Sequence, residues 1–120
     1  MAVIHGRGVV VRQPGSPSRV EDITIEDPGP GEVRVRMLTS GVCHTDLFAK
    51  EGKFGAAFPY LLGHEATGIV ESVGDHVSRP TVGQTVTLSW RAPCGVCRFC
   101  VRGDSQVCPS ALTAQPRMKT

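Results

Sequence analysis

The stretch Gly63-His64-Glu65-Ala66-Thr67-Gly68 lies near the middle of the chain and joins a His-Glu pair to a β-type run at residues 67–73. Valine, isoleucine and threonine dominate that run and Gly74 follows it, which is the pattern of a short strand ended by a turn. Imidazole and carboxylate groups are both common ligands of divalent metals. The stretch therefore predicts a strand that starts beside two candidate metal ligands, His64 and Glu65.

Similar β-type runs recur on both sides of this stretch, separated by turn signals rich in glycine and proline. The runs are residues 9–11, 20–25, 33–37 and 82–88, and the turns are residues 14–17, 27–31 and 79–83. Apolar and other residues alternate at 33–37, which predicts a strand with one buried face and with Arg34 and Arg36 in solvent. Residues 43–50 are the best helix candidate. Short strands with frequent turns predict a mainly β fold, an antiparallel barrel or sandwich.

Length and composition narrow the class of protein. The chain has 120 residues, of which 40% are hydrophobic and 20% charged, and this predicts one globular domain with a hydrophobic core. Its formal net charge of +2 is too small and too dispersed for a nucleic-acid or membrane surface. No apolar stretch is long enough for a signal core or a membrane span, so we expect a cytoplasmic protein. In that reducing compartment, clustered cysteines more often bind metal than form disulfides.

Four of the five cysteines fall within residues 94–108, in the pattern Cys94-x2-Cys97-x2-Cys100-x7-Cys108. Four thiolates at these separations can surround one tetrahedral zinc ion at ~2.3 Å and fill every coordination position, so the site would be structural. We call residues 91–112 the lobe and predict that zinc organises it, because its sequence is too polar to be held by packing alone. Three arginines would offset the negative charge of such a site, and they are Arg91, Arg98 and Arg102.

Two other interpretations of the cysteine pattern stay open. Cys-x2-Cys-x2-Cys with a later Cys-Pro is also typical of iron–sulfur proteins. The ferredoxin pattern, however, has three residues before its fourth cysteine, where this chain has seven. A ferredoxin would also usually carry a second cluster motif, which this sequence does not have. Free thiols or disulfides are the third interpretation, and zinc is the one that the spacing favours.

The fifth cysteine belongs to a separate group, Cys43-His44-Thr45-Asp46, which precedes the His-Glu pair. A cysteine, a histidine and a carboxylate can together bind a divalent metal, so Cys43, His64 and Glu65 are candidate ligands of a second site. Taken one by one, these residues fit a buried free thiol and a loop histidine better than a metal site. The motifs around these residues, however, favour the metal site.

Three motifs follow one another in a fixed order. They are Gly41-Val42-Cys43-His44-Thr45-Asp46, the stretch from Gly63 to Gly68 with Gly74 and Val77, and the cysteine pattern of the lobe with Gly95 and Gly103. With these motifs the chain resembles, over nearly its whole length, the N-terminal catalytic domain of the zinc-dependent alcohol dehydrogenases of the medium-chain dehydrogenase/reductase superfamily. The resemblance implies that residues 1–120 form one GroES-like domain, a partly open β-barrel with short helices and a zinc-binding lobe.

The resemblance also implies which residues bind metal. Cys43 and His64 match two ligands of a catalytic zinc, and Glu65 matches an adjacent carboxylate that can approach or ligate this ion. The ligands of the structural zinc are matched by Cys94, Cys97, Cys100 and Cys108. A catalytic zinc keeps one position open and acts as a Lewis acid on the substrate.

The implied activity is hydride transfer between a primary alcohol or aldehyde and NAD(P). Asp46 matches the carboxylate that orients the ligand histidine, a partner that ligating imidazoles generally need. Thr45 matches the hydroxyl that takes the proton of the substrate alcohol, and His44 matches a position that contacts the cofactor pyrophosphate. By the same resemblance, the complete enzyme is expected to be a homo-oligomer that takes small molecules, with no nucleic-acid or membrane partner.

Two departures from the family pattern concern the proton path and the metal. Some members have a histidine that ends the proton relay where this chain has Phe48, so the relay must end elsewhere. The family's remaining ligand of the catalytic zinc is a cysteine beyond residue 120. The nucleotide fingerprint G-x-G-x-x-G is also missing. Gly6-Arg7-Gly8 lacks the third glycine and precedes three valines, which predicts a strand instead.

We therefore interpret the chain as the N-terminal piece of a longer enzyme whose Rossmann domain is absent, and expect the piece alone to be inactive. A natural, non-enzymatic zinc-binding module is the alternative. For the substrate, residues 89–94 and 114–118 resemble the thiol-dependent formaldehyde dehydrogenases, which oxidise an S-hydroxymethyl adduct of a thiol such as mycothiol. That alternative is weaker than a general primary or aromatic alcohol, because Trp90 could simply pack under the lobe.

Overall fold

Short antiparallel strands account for most of the regular structure. The computed structural model describes residues 3–55 and 57–111. The strands are β1 (Ile4–Val11), β2 (Arg19–Ile25), β3 (Val33–Ser40), β4 (Tyr60–Leu61), β5 (Ala66–Val73) and β6 (Thr85–Thr87). The helices are α1 (His44–Lys50), α2 (Arg98–Val101) and a 3-10 helix at Ser105–Val107. The expectation of a mainly β fold with short helices is confirmed.

The strands form two separate three-stranded sheets. Their orders are β2-β1-β4 and β3-β5-β6, and every pair of neighbours is antiparallel. Within the described residues no strand pairing joins one sheet to the other, so the barrel is not closed, as the partly open form predicts. Outer strands β2 and β3 border a groove of about 850 Å³ whose lining includes Ile23, Ile25, Val33 and Val35.

The core is small and built from valine and alanine. Val10, Val11 and Val70 are at most 1% exposed and come from β1 and β5, one strand of each sheet. In β1 the half-buried and exposed residues alternate until the last two valines, which are both buried. This is the period of a strand with one face on the core. The predicted strand at residues 6–11 is thus confirmed.

Gly68 fixes how closely β3 and β5 approach. It pairs with Met37 beside an irregularity in the ladder. A Cβ atom at position 68 would overlap the carbonyl oxygen of Arg36 and the side chain of Val35, so the strands could not come together with any other residue there. The close approach holds the start of β5, which follows His64 and Glu65, against the end of β3.

The alternation predicted for residues 33–37 is wrong at two positions. Met37, which was expected on the buried face, is 46% exposed. Arg34 lies mostly out of solvent, with only 16% of its side chain exposed, and it donates to Asp27 at 2.8 Å. The carboxylate of Glu71, on neighbouring β5, lies 3.7 Å from its Nε. The alternating pattern predicted the strand correctly, but two carboxylates stabilise the guanidinium on the face that was expected to be wet.

Three other local predictions need correction. The run at 82–88 is a strand only at Thr85–Thr87, because Gly83 has a φ of 91° and belongs to a turn. Strand β4 was not predicted, since two residues carry no periodicity. Trp90 does not pack under the lobe, because it is 58% exposed.

The helix predicted at 43–50 is confirmed as α1, with Cys43 as its N-cap. Residues 112–120 lie outside the described residues, and with them the segment 114–118.

Candidate metal centres

The lobe brings its four cysteines to one point. One sulfur atom from each of Cys94, Cys97, Cys100 and Cys108 lies within 4.8 Å of the other three. Helix α2 begins directly after Cys97 and contains Cys100, while the 3-10 helix ends directly before Cys108. Two very short helices therefore aim their cysteines at a common centre, although neither was predicted from the sequence.

Backbone N–H groups already point at the sulfur atoms. The N–H of Cys94 donates to Cys108 Sγ at 3.4 Å, that of Cys97 to Cys94 Sγ at 3.3 Å, and that of Cys100 to Cys97 Sγ at 3.5 Å. Donors of this kind stabilise thiolates rather than thiols. Hydrogen bonding and burial together separate the thiol pKa values. N–H donation from Cys94 lowers the pKa of Cys108 to about 6, and burial raises the pKa of Cys100 to about 12.

The donor set fits a tetrahedral zinc ion. Four ligands at ~2.3 Å from zinc lie about 3.8 Å from one another at the corners of a tetrahedron. The sulfur atoms all lie within 4.8 Å of one another, which is compatible with that arrangement. All four donors are thiolate sulfur, the soft ligand that zinc accepts in closed structural sites.

The lobe contains the three arginines noted in the sequence, and each of their guanidinium groups contacts another group of the protein. The guanidinium groups of Arg98 and Arg102 lie 4.7 and 4.9 Å from the centre of the Phe99 ring. Arg102 also donates to Asp104 at 2.6 Å, which cancels its charge locally. Arg91 donates from Nη1 to the carbonyl oxygen of Gln106 at 2.6 Å, a contact that cysteine spacing gives no hint of.

The second group of candidate ligands also converges. Cys43, His64 and Glu65 each offer one ligand atom, and these atoms lie within 4.8 Å of one another. Cys43 and His64 are half-buried, whereas Glu65 is exposed. The ligands come from two separate segments, the N-cap of α1 and the residues before β5. A thiolate, an imidazole and a carboxylate are a fitting donor set for zinc, with room left for a further ligand.

A buried carboxylate, Asp46, joins the two segments. Its Oδ2 accepts from the backbone N–H of Cys43 at 3.0 Å, which closes the capping box of α1. Its Oδ1 accepts from the N–H of Gly63 at 3.3 Å and lies 3.3 Å from Nδ1 of His64. Because Nδ1 of His64 faces this carboxylate, Nε2 is the nitrogen that remains for a metal. Asp46 is only 7% exposed, and every oxygen has a partner.

Two glycines shape the backbone beside these ligands. Gly63 has a φ of 103°, a conformation that other residues rarely adopt, and it turns the chain directly before His64. The N–H of Gly41 donates to the carbonyl oxygen of Glu65 at 2.6 Å, which ties the end of β3 to the start of β5. This link was not predicted, because only the paired strands bring positions 41 and 65 together.

The remaining candidate residues lie on the first turns of α1. Thr45 is exposed, and so is His44, whose ring lies 4.9 Å from that of Phe48 in an edge-on arrangement. Phe48 also lies 6.2 Å from Phe54 and carries the ammonium of Lys53 over its face at 4.9 Å. An aromatic and basic surface therefore flanks the second site on its exposed side.

A pocket of about 320 Å³ lies next to the second site, since Asp46 and Gly63 line it. Its lining is mostly apolar and includes Val42, Leu47 and Leu62 next to the Asp46 carboxylate. Burial, followed by the charge of Asp46, raises the pKa of nearby Tyr60. In the described part of the chain, no helix is long and apolar enough to cross a membrane.

Comparison with known proteins agrees with the two candidate metal sites in indicating an alcohol dehydrogenase domain. The alcohol dehydrogenase GroES-like domain family matches residues 29–117. An S-(hydroxymethyl)glutathione dehydrogenase of Aspergillus oryzae is 42% identical over 102 residues, which are 84% of this chain and 27% of that protein.

Two solved structures are also similar. An alcohol dehydrogenase zinc-binding domain protein from Burkholderia ambifaria has a TM-score of 0.86 at 33% identity, over 93% of this chain and 30% of that one. Benzyl alcohol dehydrogenase from Acinetobacter calcoaceticus has a TM-score of 0.80 at 32% identity, over 90% of this chain and 30% of that one. The chain spans about 30% of the length of the first curated relatives that it matches. It belongs to the alcohol dehydrogenase GroES-like domain family.

Proposed function

We propose that this chain is the N-terminal part of a zinc-dependent alcohol dehydrogenase that interconverts primary alcohols and aldehydes with NAD(P). The observation that supports this best is the convergence of Cys43, His64 and Glu65 around a point that Asp46 organises. When bound there, zinc supplies Lewis-acid chemistry that favours loss of the alcohol's proton. The hydride acceptor and the remaining protein ligand belong to a part of the enzyme beyond this chain, so the chain alone is inactive.

The chain's own residues provide orientation and a path for the proton. Asp46 holds the His64 ring so that Nε2 faces the substrate side, and it fixes the Cys43 backbone at the same time. The hydroxyl of Thr45, exposed on the first turn of α1, takes the substrate's proton and releases it to solvent. Phe48 cannot continue this relay, because its ring holds no titratable group. The exposed imidazole of His44 is available for the anionic part of the cofactor.

The lobe has a structural part in this proposal. Its four cysteines would hold a second zinc ion with no open position, which keeps residues 94–108 folded but binds no substrate. We also infer a cytoplasmic protein, because thiolate ligands persist in a reducing compartment. The proposed homo-oligomer rests on the family resemblance alone.

The test uses the complete polypeptide that contains this chain. We expect two zinc ions per chain in elemental analysis and alcohol oxidation that requires NAD or NADP. Cys43→Ala should abolish turnover and remove one zinc, while the folded protein keeps the other. A complete protein that is zinc-free, or a Cys43→Ala variant with full turnover, would refute the proposal. A brown preparation with visible absorption would indicate an iron–sulfur protein instead.

A thiol-adduct substrate is the second candidate. The relative from Aspergillus oryzae is named for S-(hydroxymethyl)glutathione, whereas the structure from Acinetobacter calcoaceticus is named for benzyl alcohol. The complete enzyme should be assayed with benzyl alcohol and with formaldehyde in the presence of mycothiol or glutathione. A kcat/KM that is higher for the thiol adduct would assign this second substrate class. Zinc retention without any turnover would instead favour the non-enzymatic module.

A further inference from the structure

The side chain of Arg91 bridges the two ends of the lobe. Nη1 donates to the carbonyl oxygen of Gln106 at 2.6 Å, and the guanidinium lies 4.9 Å from the centre of the Trp90 ring. The backbone N–H of the same residue donates to Ser89 Oγ at 3.2 Å. Arg91 is therefore held at its backbone, and its guanidinium contacts both the neighbouring Trp90 ring and a segment 15 positions away.

The contacted carbonyl is close to a candidate zinc ligand. Gln106 lies in the 3-10 helix, two residues before Cys108, which is only 6% exposed. Two backbone contacts join the same two segments. The N–H of Ala92 donates to the carbonyl of Ala111 at 2.9 Å, and that of Cys94 donates to Cys108 Sγ at 3.4 Å. The arginine bridge is the link in this set that uses a side chain other than the four cysteines.

We propose that Arg91 is a positioning residue for the metal site of the lobe, holding Cys108 in place through the carbonyl of Gln106. The inference rests on the proposed zinc at the four cysteines. A charge-assisted hydrogen bond to this carbonyl fixes the 3-10 helix before metal binds, so less conformational freedom is lost on binding. Groups that hold a ligand in place commonly change metal affinity by about 10–100-fold when they are removed.

A purely electrostatic effect is the alternative to positioning. A site with one zinc and four thiolates is negative, so any nearby cation would help to retain the metal. Arg98 offers the matched control, because it lies in the same lobe with the same charge. Among the contacts of the described residues, its guanidinium stacks on Phe99 and does not bridge the lobe. Removing each arginine in turn therefore distinguishes the positioning of Cys108 from a general electrostatic effect of a nearby positive charge.

The experiment measures the rate at which zinc leaves the lobe of the complete polypeptide. The protein carries Cys43→Ala, so that the lobe holds the zinc, and an excess of a chromophoric chelator captures the released ion. We expect Arg91→Met to release zinc about 10–100-fold faster. Arg91→Lys should recover part of that loss, because an ammonium can still donate to the carbonyl. Arg98→Met should release zinc at the parent rate.

Cobalt provides a readout that a general loss of stability would not reproduce. The Co²⁺ form of Arg91→Met should keep the absorption of a four-thiolate site, since the ligands are unchanged and only their positioning is weakened. If Arg91→Met does not fold, the comparison of Arg91→Lys with Arg98→Lys replaces it. The inference about Arg91 would be wrong if variants at both positions released zinc equally fast, or if the Arg91 variants released it at the parent rate. Either result would leave the proposed function unaffected. A parent protein without zinc would overturn the proposed function as well.

Discussion

The two candidate metal centres are built in opposite ways. In the lobe, all four ligands come from residues 94–108, and the backbone N–H groups that support the sulfurs belong to the cysteines or to residues one or two positions from a cysteine. In the second site, Cys43 comes from a helix N-cap, and His64 and Glu65 come from the start of a strand. There a single buried carboxylate, Asp46, holds the segments together.

The difference shows which part of the molecule each metal depends on. The lobe contributes little to the apolar core, so its metal would supply the energy that organises it. The second site is placed by paired strands, by the N-terminus of α1 and by Asp46, so we expect its geometry to depend less on a metal. The lobe is thus a closed site whose metal organises the surrounding chain, whereas the second site is an open site whose geometry is set by the surrounding fold.

Removal of one lobe cysteine should have the largest effect. Cys100→Ala in the complete protein leaves three ligands, and structural zinc sites contribute about 10–16 kcal/mol of apparent binding free energy. We expect loss of lobe zinc, a strongly lowered Tm and aggregation. Cys43→Ala is the matched control and should keep the parent Tm to within a few degrees. If thermal unfolding of the two variants were the same, the division into a structural and an open site would be wrong.

The next largest effect concerns the proton path at the second site. Thr45→Ala should lower kcat by about 10²–10⁴-fold, the usual contribution of a group that transfers a proton. Thr45→Ser should restore most of this loss, because it keeps the hydroxyl. Zinc content and Tm should not change in either variant, since Thr45 is exposed. Turnover in Thr45→Ala close to that of the parent would remove Thr45 from the mechanism.

A smaller effect should follow from Asp46→Asn. The amide keeps the shape of the side chain but binds the N–H groups of Cys43 and Gly63 and the His64 ring less well. We expect zinc at the second site to bind about 10–100-fold more weakly, while lobe zinc is retained. Asp104→Asn, which alters a carboxylate of the lobe, should leave the second site unchanged. Loss of lobe zinc in Asp46→Asn would show that the two centres are coupled.

The smallest effect is expected from Phe48→His. Positions 45 and 48 lie on one face of α1, so the imidazole would stand close to the Thr45 hydroxyl. An unperturbed histidine has a pKa of about 6.5 and can accept a proton above that pH. We therefore expect a few-fold rise in kcat for alcohol oxidation at pH values above the histidine's pKa, measured in a pH–rate profile. Phe48→Leu should show no such rise, and a rise there would contradict the explanation.

The sequence predicted features that are encoded locally. Strands β1, β2, β3 and β5 follow from β-type runs between turn signals, and α1 follows from its first-turn acidic residue. The cysteine spacing indicated the lobe directly. By contrast, the convergence of Cys43 with His64 came from family resemblance, because strand pairing decides which distant residues meet.

What the sequence missed depends on tertiary contacts or on very short elements. Arg34 follows a pattern typical of an exposed position, yet it lies between Asp27 of the preceding loop and Glu71 of the neighbouring strand β5. Helix α2 has four residues, too few for any helical periodicity. The bridge from Arg91 to Gln106 crosses a loop whose path the cysteines determine, so spacing alone cannot reveal it.

The local construction of the lobe has a consequence for the order of biosynthesis. Once residues 94–110 have left the ribosome, all four ligands and the N–H donors that reach their sulfur atoms are present. Zinc can therefore load there while the downstream chain is still being translated. Cellular zinc supply would then control the yield of folded enzyme at an early step, before any catalytic property of the finished protein matters.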